Sequence, residues 1–144
     1  MKEKDTIVGI EDQVCFALYS ASNAIIRAYR PLLEELDLTY LQYMAMIVLW
    51  QHAPLNVKEI GHQLSLDSGT LTPLLKRLEL KGLIIRRRSL SDERVREITL
   101  TETGTKLRDK ALSIPEQMLC KVKLSLQDIL ELKHLCHEVT KNLS

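Results

Sequence analysis

The stretch that decides the fold runs from Leu66 to Gly104 and reads LDSGTLTPLLKRLELKGLIIRRRSLSDERVREITLTETG. Its first part predicts a helix between an Asp67 N-cap and a stop at Gly82. Its second part holds two segments rich in β-branched residues, LIIRRRS and VREITLT, which the polar LSDER joins into a β-hairpin with a charged tip. A short helix, NVKEIGHQL, precedes the stretch and has Asn56 as its N-cap. A helix-turn-helix followed by a β-ribbon is a winged helix.

Two longer helices are predicted ahead of this module. The first runs from about Glu11 to Leu36 and is expected to bend at Pro31, because proline removes a backbone donor and clashes with the previous turn. The second begins after a Thr39 N-cap and ends near His52. Glycine and proline number only five and four in the 144 residues, which favours helices.

Two more helices are predicted after the hairpin. The first of them begins at a Thr101 cap and is expected to bend near Pro115, and the second runs from Ser125 to the end of the chain. Apolar residues recur along the last helix at the three- and four-residue spacings of a coiled-coil seam. They are Ile129, Leu132, Cys136, Val139 and Leu143.

The resulting architecture is a single domain over residues 1–144, mainly α with a β-hairpin wing (α+β). The winged helix-turn-helix occupies about residues 53–101, and helices at about 11–36 and 101–144 flank it. These flanking helices carry more apolar surface than so small a middle module can cover. We therefore expect them to be dimerisation helices that pair with a second copy of the chain in a homodimer.

Positive charge is concentrated in one module, although the whole chain carries only +1. Residues 76–97 hold eight basic and four acidic side chains, a net charge of +4. Neutralising phosphates with such a patch supplies most non-specific affinity for DNA. Small hydroxyl-bearing residues at the start of the preceding helix, Ser68, Thr70 and Thr72, could approach base edges and phosphates closely. The alternative is a solvated charged hairpin, and the helix-turn-helix together with the DER tip favours DNA.

Several classes of site and location are disfavoured by the remaining composition. The three cysteines, Cys15, Cys120 and Cys136, are widely spaced without a CxxC motif, and the four histidines make no ligand spacing with them. We expect no metal site and no cofactor. The first ten residues, MKEKDTIVGI, contain no signal-peptide core, and no uncharged apolar run approaches the ~18–20 residues that span a bilayer. These features predict a cytoplasmic protein with reduced thiols and no membrane partner.

Cys15 has two interpretations from its spacing alone. It shares a helical stripe with Leu18, Tyr19 and Tyr29, which fits a small, buried and unreactive core residue. The stripe also fits a reactive thiolate, because hydroxyl donors stabilise that form of the side chain. Tyr29 lies fourteen positions further on, ~21 Å along one helix, so it could reach only the Cys15 of an antiparallel partner. Tyr40, at the start of the next helix, could accompany it.

The chain resembles a known family of bacterial regulators at several separated motifs. The DxR wing tip and the LTxxG that follows are general motifs of the MarR superfamily. The narrower match is DSGTLTPLLKRLE, with CFALY upstream and LTYLQYMAMIVLW in the second helix, which resembles the organic hydroperoxide resistance regulators (OhrR). The similarity covers roughly Glu11 to Cys120.

The resemblance implies six residues that contact double-stranded operator DNA. Three of them, Ser68, Thr70 and Arg77, lie on the helix predicted between Asp67 and Gly82, which would be the recognition helix and face the major groove. Arg94 at the wing tip would enter the minor groove, and Asp92 would orient it. A narrow minor groove concentrates negative potential and so attracts arginine. Arg86 is a candidate phosphate contact. The six residues are Ser68, Thr70, Arg77, Arg86, Asp92 and Arg94.

The resemblance also implies a redox site. Cys15 would be the reactive cysteine, hydrogen-bonded by Tyr29 and Tyr40 of the other subunit, with Tyr19 helping to line the pocket. Some OhrR-like proteins carry only this cysteine, and a small thiol caps it after oxidation. Others carry a second cysteine and form an intersubunit disulfide, and SIPEQMLC places Cys120 at that position. The alternative for Cys120 is a cysteine that only packs between helices.

The function that the resemblance implies is a transcriptional repressor and not an enzyme. It would bind a palindromic operator when reduced and leave it when an organic hydroperoxide oxidises Cys15 and a disulfide forms with Cys120. Three alternatives remain: release by a phenolic ligand, sensing of another oxidant such as hypochlorite, and a thiol peroxidase with secondary DNA binding. The absence of a thioredoxin-like pattern and of CxxC disfavours the peroxidase. Cys136, in the last helix, is expected to serve packing alone.

Overall fold

The computed structural model describes residues 6–144, and the first five residues of the expected 1–144 domain lie outside the described residues. The described part contains seven α-helices and three short strands, with one turn of 3-10 helix at Ile10–Asp12. In chain order they are α1 (Val14–Glu34), α2 (Tyr40–His52), β1 (Leu55–Asn56), α3 (Val57–Leu64), α4 (Ser68–Leu80), β2 (Ile84–Arg88), β3 (Arg96–Leu100), α5 (Glu102–Ala111), α6 (Ile114–Val122) and α7 (Leu126–Leu143).

The chain divides into two compact units, one ending at Leu112 and one from Ser113 to Ser144. The first unit contains the predicted winged helix-turn-helix, formed by α3, α4, β2 and β3. The predicted fold class, mainly α with a β-hairpin wing, is confirmed. Within residues 6–144, no helix is both long and apolar enough to cross a membrane.

Five helices begin at a side-chain N-cap, of which Thr39, Asn56, Asp67 and Thr101 were predicted as caps and Ser125 only as the start of its helix. In each, a side-chain oxygen accepts a hydrogen bond from the backbone N–H three residues further on, which satisfies a donor that the first helical turn leaves unpaired. The predicted stop at Gly82 is also confirmed. This glycine has φ +76° and lets the N–H groups of Gly82 and Leu83 close the end of α4 on the carbonyls of Glu79 and Leu78.

Two helix predictions were wrong in extent. The first helix begins at Val14 rather than Glu11, because residues 10–12 form a separate 3-10 turn. The helix predicted to run through Pro115 with a bend is two helices, since α5 ends at Ala111 and α6 begins at Ile114. Pro115 therefore lies in the first turn of α6, where the missing N–H would have had no helical partner in any case. Pro31, in contrast, remains inside α1.

The wing is a three-stranded antiparallel sheet with strand order β1-β3-β2. The two-residue β1 was not predicted, and it pairs Leu55 with Ile98 of β3. Beyond the paired strands the ribbon continues with a hydrogen bond from the Ser89 N–H to the Val95 carbonyl oxygen at 2.9 Å. This bond extends the ribbon beyond the last paired residues of β2 and β3.

The core of the first unit joins the wing to the helices beneath it. Its fully buried side chains come from α1 to α4 and the two wing strands, and they include Met46, Leu49, Ile60, Leu71, Leu75, Leu78, Ile84 and Ile98. The LTxxG motif, residues 100–104, packs the start of α5 closely against this core. The Trp50 indole N–H donates to the Gly104 carbonyl oxygen at 2.9 Å, and a Cβ at Gly104 would lie 2.0 Å from the Leu83 carbonyl oxygen. Only glycine permits this approach of α5 to Leu83, the residue before β2.

Two helices leave apolar faces uncovered within one chain. In the first unit, α1 buries only Leu33, and Val14, Phe16, Leu18 and Ile25 are exposed. In the second unit, α7 buries no residue, and its predicted seam is open, with Leu132, Val139 and Leu143 exposed. Uncovered apolar stripes of this length are typical of helices that associate with another chain.

Candidate DNA-binding surface and redox site

The outer face of α4 presents polar side chains to solvent. One side of the helix buries Leu71, Leu74, Leu75 and Leu78, and this burial fixes which side faces outward. The predicted contacts Ser68, Thr70 and Arg77 are all exposed on the outer side. The Asp67 carboxylate accepts the Thr70 N–H at 2.8 Å and so holds the first turn of the helix. The geometry suits a recognition helix whose N-terminal turns reach base edges.

The wing tip has a fixed backbone and a free arginine side chain. Oδ1 of Asp92 accepts the backbone N–H of Arg94 at 3.0 Å and lies 3.6 Å from Nε of the same residue. The Arg94 side chain is 93% exposed. The carboxylate thus shapes the turn and pairs with the guanidinium, which is exposed to solvent and therefore accessible to a DNA groove.

A like-charge pair lies at the end of the ribbon. Arg88 of β2 and Arg96 of β3 are directly opposite in the antiparallel register, and both are exposed. Like charges in such cross-strand positions are destabilising in water alone. A polyanion bound against the ribbon would screen that repulsion. The opposed pair therefore favours binding of a phosphate backbone, and the strand register that brings the two arginines together was not visible in the sequence.

Arg86 lies differently from the other predicted contacts. Its Nη2 donates to the Thr72 carbonyl oxygen at 3.4 Å, and its Nε lies 3.6 Å from Oε2 of Glu79, both in α4. The Nε atom is buried and makes no hydrogen bond within the described residues. In this conformation Arg86 joins the wing to the recognition helix, and a phosphate would have to compete with Glu79 for the guanidinium.

Cys15 is exposed, so the interpretation as a buried core cysteine does not fit the single chain. It is the second residue of α1, in the first turn of that helix. Phe16 and Tyr19 lie next to it, with ring centroids 6.4 Å apart. Cys15 therefore belongs to an exposed segment of α1 that also carries exposed apolar and aromatic side chains.

The tyrosines predicted to serve Cys15 form a cluster. The ring centroids of Tyr29 and Tyr40 are 4.9 Å apart, and Tyr43 joins them with its centroid 5.8 Å from that of Tyr29. Sequence reasoning missed Tyr43, although it follows Tyr40 by three residues on one helix and therefore shares its face. Tyr19 is outside the cluster and exposed.

Burial keeps the clustered phenols protonated. Burial raises the pKa of Tyr40. Burial first, and the charge of a neighbouring Tyr40 phenolate second, raise the pKa of Tyr29. Burial first, and the charges of its two tyrosine neighbours second, raise the pKa of Tyr43. Neutral phenols carry an O–H donor, which is what an anionic sulfur requires.

Cys15 and the tyrosine cluster do not meet within one chain. Both Cys15 and Tyr29 belong to α1, and their fourteen-residue separation corresponds to ~21 Å of continuous helix. Any contact between this sulfur and a Tyr29 hydroxyl therefore requires a second copy of the chain.

An open cavity of about 580 Å³ lies between α1 and the start of α2. Its volume is in the range of small-molecule sites. Its lining is mainly apolar and includes one ring of the tyrosine cluster. The lining residues include Ile26, Arg30, Leu33, Leu38, Tyr40 and Leu41.

The other two cysteines lie in the second unit. Cys120 is exposed on α6, and Cys136 is partly exposed on α7. All three cysteines of the chain are free thiols. Among residues 6–144, no group of three or more histidine, cysteine, aspartate or glutamate side chains could hold a metal ion.

Comparison with known proteins assigns the family. A family model described as transcriptional regulator SarA/Rot matches residues 27–111. The organic hydroperoxide resistance transcriptional regulator of Bacillus subtilis is 46% identical over 143 residues, covering 99% of this chain and 97% of that protein. The chain belongs to the OhrR-like group of the MarR superfamily. Members of this group are transcriptional regulators, so an OhrR-like chain is a regulator and not an enzyme, and the thiol peroxidase alternative is wrong.

Solved structures of a related protein, AbfR, agree with the fold. Reduced AbfR bound to DNA has a TM-score of 0.76 at 33% identity, covering 93% of this chain and 92% of that one. Disulfide-formed AbfR has a TM-score of 0.68 at 32% identity, covering 91% and 92%. AbfR is a protein of Staphylococcus epidermidis. The match extends beyond the winged helix-turn-helix to nearly the whole chain.

Replacing Arg94 tests the wing tip. We expect Arg94→Ala to weaken binding to operator DNA by about 1–3 kcal/mol and to lower the salt dependence by about one phosphate contact, since a fully exposed guanidinium is lost. The operator duplex is first selected from random sequences against reduced protein. Affinity is then measured by fluorescence anisotropy at several salt concentrations.

The matched control for this replacement is Arg108→Ala, which removes an exposed arginine from α5 and the same single charge. It should bind within about twofold of the parent. If Arg94→Ala and Arg108→Ala bind equally well, the wing tip is not a DNA contact.

Proposed function

We propose that this protein is a homodimeric repressor that binds a palindromic operator when reduced and releases it when an organic hydroperoxide oxidises Cys15. One observation carries the proposal: Cys15 is exposed at the start of α1 on an uncovered apolar face, in a chain 46% identical over 99% of its length to an organic hydroperoxide regulator. A cysteine in that position is accessible to an oxidant.

The DNA-binding part of the proposal rests on α4 and the wing. Ser68, Thr70 and Arg77 supply contacts for the major groove, Arg94 supplies one for the minor groove, and Asp92 holds the turn that presents it. Arg86 contributes to phosphate binding or holds the wing against α4. The DNA complex of reduced AbfR, which has the same fold, supports operator binding in the reduced state.

The uncovered helix faces support the proposed dimer. Exposed apolar side chains of α1, among them Phe16, Leu18 and Ile25, gain ~25 cal/mol for each Å² that a second copy removes from water. The open seam of α7 offers a further surface of the same kind. Most soluble homo-oligomers are two-fold dimers, and a two-fold dimer presents two recognition helices to a palindrome.

In the dimer, the tyrosines of one subunit act on the cysteine of the other. Tyr29 and Tyr40 donate their phenolic hydrogens to the Cys15 thiolate of the partner subunit, and Tyr43 packs behind Tyr29. Their raised pKa values keep both donors protonated at any physiological pH. Tyr19 lies beside Cys15 on its own helix and lines the pocket.

The proposed reaction has two steps, oxidation of Cys15 and formation of a disulfide. The Cys15 thiolate attacks the outer oxygen of the hydroperoxide, the O–O bond breaks, and the leaving alkoxide takes a proton to become an alcohol. The resulting sulfenic acid then reacts with the Cys120 thiol of the partner subunit, which forms a disulfide and releases water. The apolar residues around Cys15 favour an organic peroxide over hydrogen peroxide.

The disulfide changes the geometry of the dimer. It requires the two Cα atoms to lie within ~7 Å, so the helices that carry Cys15 and Cys120 must come together. Two recognition helices must lie about one turn of DNA apart to read a palindrome. A small rotation of one subunit against the other changes that spacing and therefore lowers affinity for the operator. The disulfide form of AbfR supports the existence of such a state in a protein of this fold.

A second candidate signal is a phenolic or similar small ligand rather than an oxidant. The cavity of about 580 Å³ beside Tyr40 favours it, because its volume and apolar lining suit an aromatic molecule. Another oxidant, such as hypochlorite, would use the same two cysteines. Intact-mass spectrometry separates a ligand from an oxidant, since a ligand leaves the mass of the denatured chain unchanged.

An operator titration before and after oxidation tests the proposal. Reduced protein should bind the selected operator, and one equivalent of cumene hydroperoxide should weaken binding by at least about tenfold, within the usual range of allosteric coupling. The control is Cys15→Ser, which should bind like the reduced parent before and after treatment. Release of Cys15→Ser by the peroxide would show that another group is the sensor.

A non-reducing gel of the same samples tests the second thiol. Oxidised parent should migrate as a covalent dimer, and Cys120→Ser should abolish that dimer while its Cys15 still oxidises to sulfenic or higher acids. Cys136→Ser is the matched control and should retain the covalent dimer. A dimer that survives in Cys120→Ser and disappears in Cys136→Ser would identify Cys136 as the partner thiol.

A further inference from the structure

Lys81 connects the end of the recognition helix to the corner between α1 and α2. It is the C-cap of α4, and its side chain is only 28% exposed although it is a lysine. Its Nζ donates to the Asp37 carbonyl oxygen and, at 3.1 Å, to Oε1 of Gln42. The ammonium also lies 3.7 Å from Oδ2 of Asp37. One cation therefore faces three oxygens from a single corner of the chain.

Asp37 closes the C-terminal end of α1. It has φ +52°, the left-handed conformation, and its N–H donates to the Glu34 carbonyl while that of Leu38 donates to Leu33. Carbonyl groups at a helix C-terminus carry partial negative charge and favour a nearby ammonium. Lys81 thus fixes the end of the helix that carries Cys15 and Tyr29.

Gln42 closes the N-terminal end of α2. Its side chain is buried, and its Oε1 accepts the Thr39 N–H at 3.1 Å as one half of a capping box. The same oxygen accepts from Lys81. The first helical residue after this cap is Tyr40. Lys81 therefore contacts the caps of both helices that hold the tyrosine cluster.

The stability that Lys81 contributes is expected to be small. Asp37 is 92% exposed, and an ion pair with so exposed a partner contributes little in water. Without Lys81, Oε1 of Gln42 still accepts from Thr39, and the Asp37 carbonyl can bind water. What the ammonium provides is a defined orientation of α4 relative to the corner.

We propose that Lys81 is a positioning residue that transmits movement of the α1–α2 corner to the recognition helix. This inference rests on the proposed function, because the movement in question is the one that Cys15 oxidation causes. Arg86 extends the path, since it joins α4 to β2 through the Thr72 carbonyl and Glu79. Through these contacts the α1–α2 corner, the recognition helix α4 and the wing would rotate together as a rigid body.

The test compares the operator Kd of oxidised protein with that of reduced protein, in the parent and in K81M. The ratio of the two constants should fall by about fivefold or more in K81M, the lower end of typical coupling. Binding by the reduced form and the rate of Cys15 oxidation should stay within about threefold of the parent. A merely structural role would change both constants together and leave their ratio unaltered.

Three further variants sharpen the test. K81R retains the charge and the donors, so it should restore the ratio. K76M removes an equal charge from the exposed face of the same helix and should keep the parental ratio even where phosphate affinity falls. Q42M removes the acceptor that Lys81 shares with the Thr39 N–H, and the part of its effect on the ratio that comes from the Lys81 contact should not add to that of K81M.

The outcomes separate this inference from the proposed function. A parent that keeps its operator after oxidation overturns both. A parent that responds to oxidation, together with a K81M ratio equal to the parental one, overturns only the role of Lys81. Additive losses in the Q42M/K81M double variant, or a K81R variant no better than K81M, would also overturn it.

Discussion

The rigidity of one helix is the constraint on which the redox site depends. Cys15 and Tyr29 both belong to α1, and ~21 Å of continuous helix separates them. A thiol and the hydroxyls proposed to stabilise its anion cannot meet while that helix is straight. The site is complete only if a second copy supplies the missing half. On this account the redox site forms only in a dimer. The uncovered apolar face of α1 is the surface through which two copies would associate.

The corner between α1 and α2 connects the residues proposed to sense the oxidant to those proposed to read DNA. Tyr40 begins α2, and the cap of that helix shares an acceptor, Gln42, with the lysine that ends the recognition helix. The wing is held to α4 by Arg86 on its other side. Core packing keeps these elements together, and the polar contacts set their relative angles. Because a palindrome fixes the distance between two recognition helices, a change of angle is enough to change affinity.

Local interactions explain why much of the fold was predictable from sequence. An N-cap needs only a side-chain oxygen and an N–H three residues away, so Thr39, Asn56 and Asp67 could be identified directly. Gly82 was recognisable because only glycine readily adopts its left-handed conformation. The break between α5 and α6 was missed, since Pro115 fits both a bend within a helix and the first turn of a new one.

Contacts between distant parts of the chain were not accessible in the same way. Lys81 reaches Asp37 across 44 positions and Gln42 across 39, and no local pattern encodes that contact. The exposure of Cys15 and the place of Tyr43 in the cluster likewise depend on how helices pack. The residues proposed to bind DNA were named from motifs, and the structure adds the opposed pair Arg88 and Arg96 as an independent physical reason for a polyanion.

Mixed dimers test most directly whether the tyrosines of one subunit serve the cysteine of the other. One chain carries Tyr29→Phe and Tyr40→Phe with Cys15 intact, and the other carries Cys15→Ser with its tyrosines intact. Both carry Cys120→Ser and Cys136→Ser, so Cys15 is the sole thiol. Iodoacetamide should alkylate these mixed dimers as fast as dimers with all tyrosines present. The homodimer of the first chain should react at least about tenfold more slowly, because hydrogen bonds to a charged group are lost. Mixed dimers as slow as that homodimer would contradict the account.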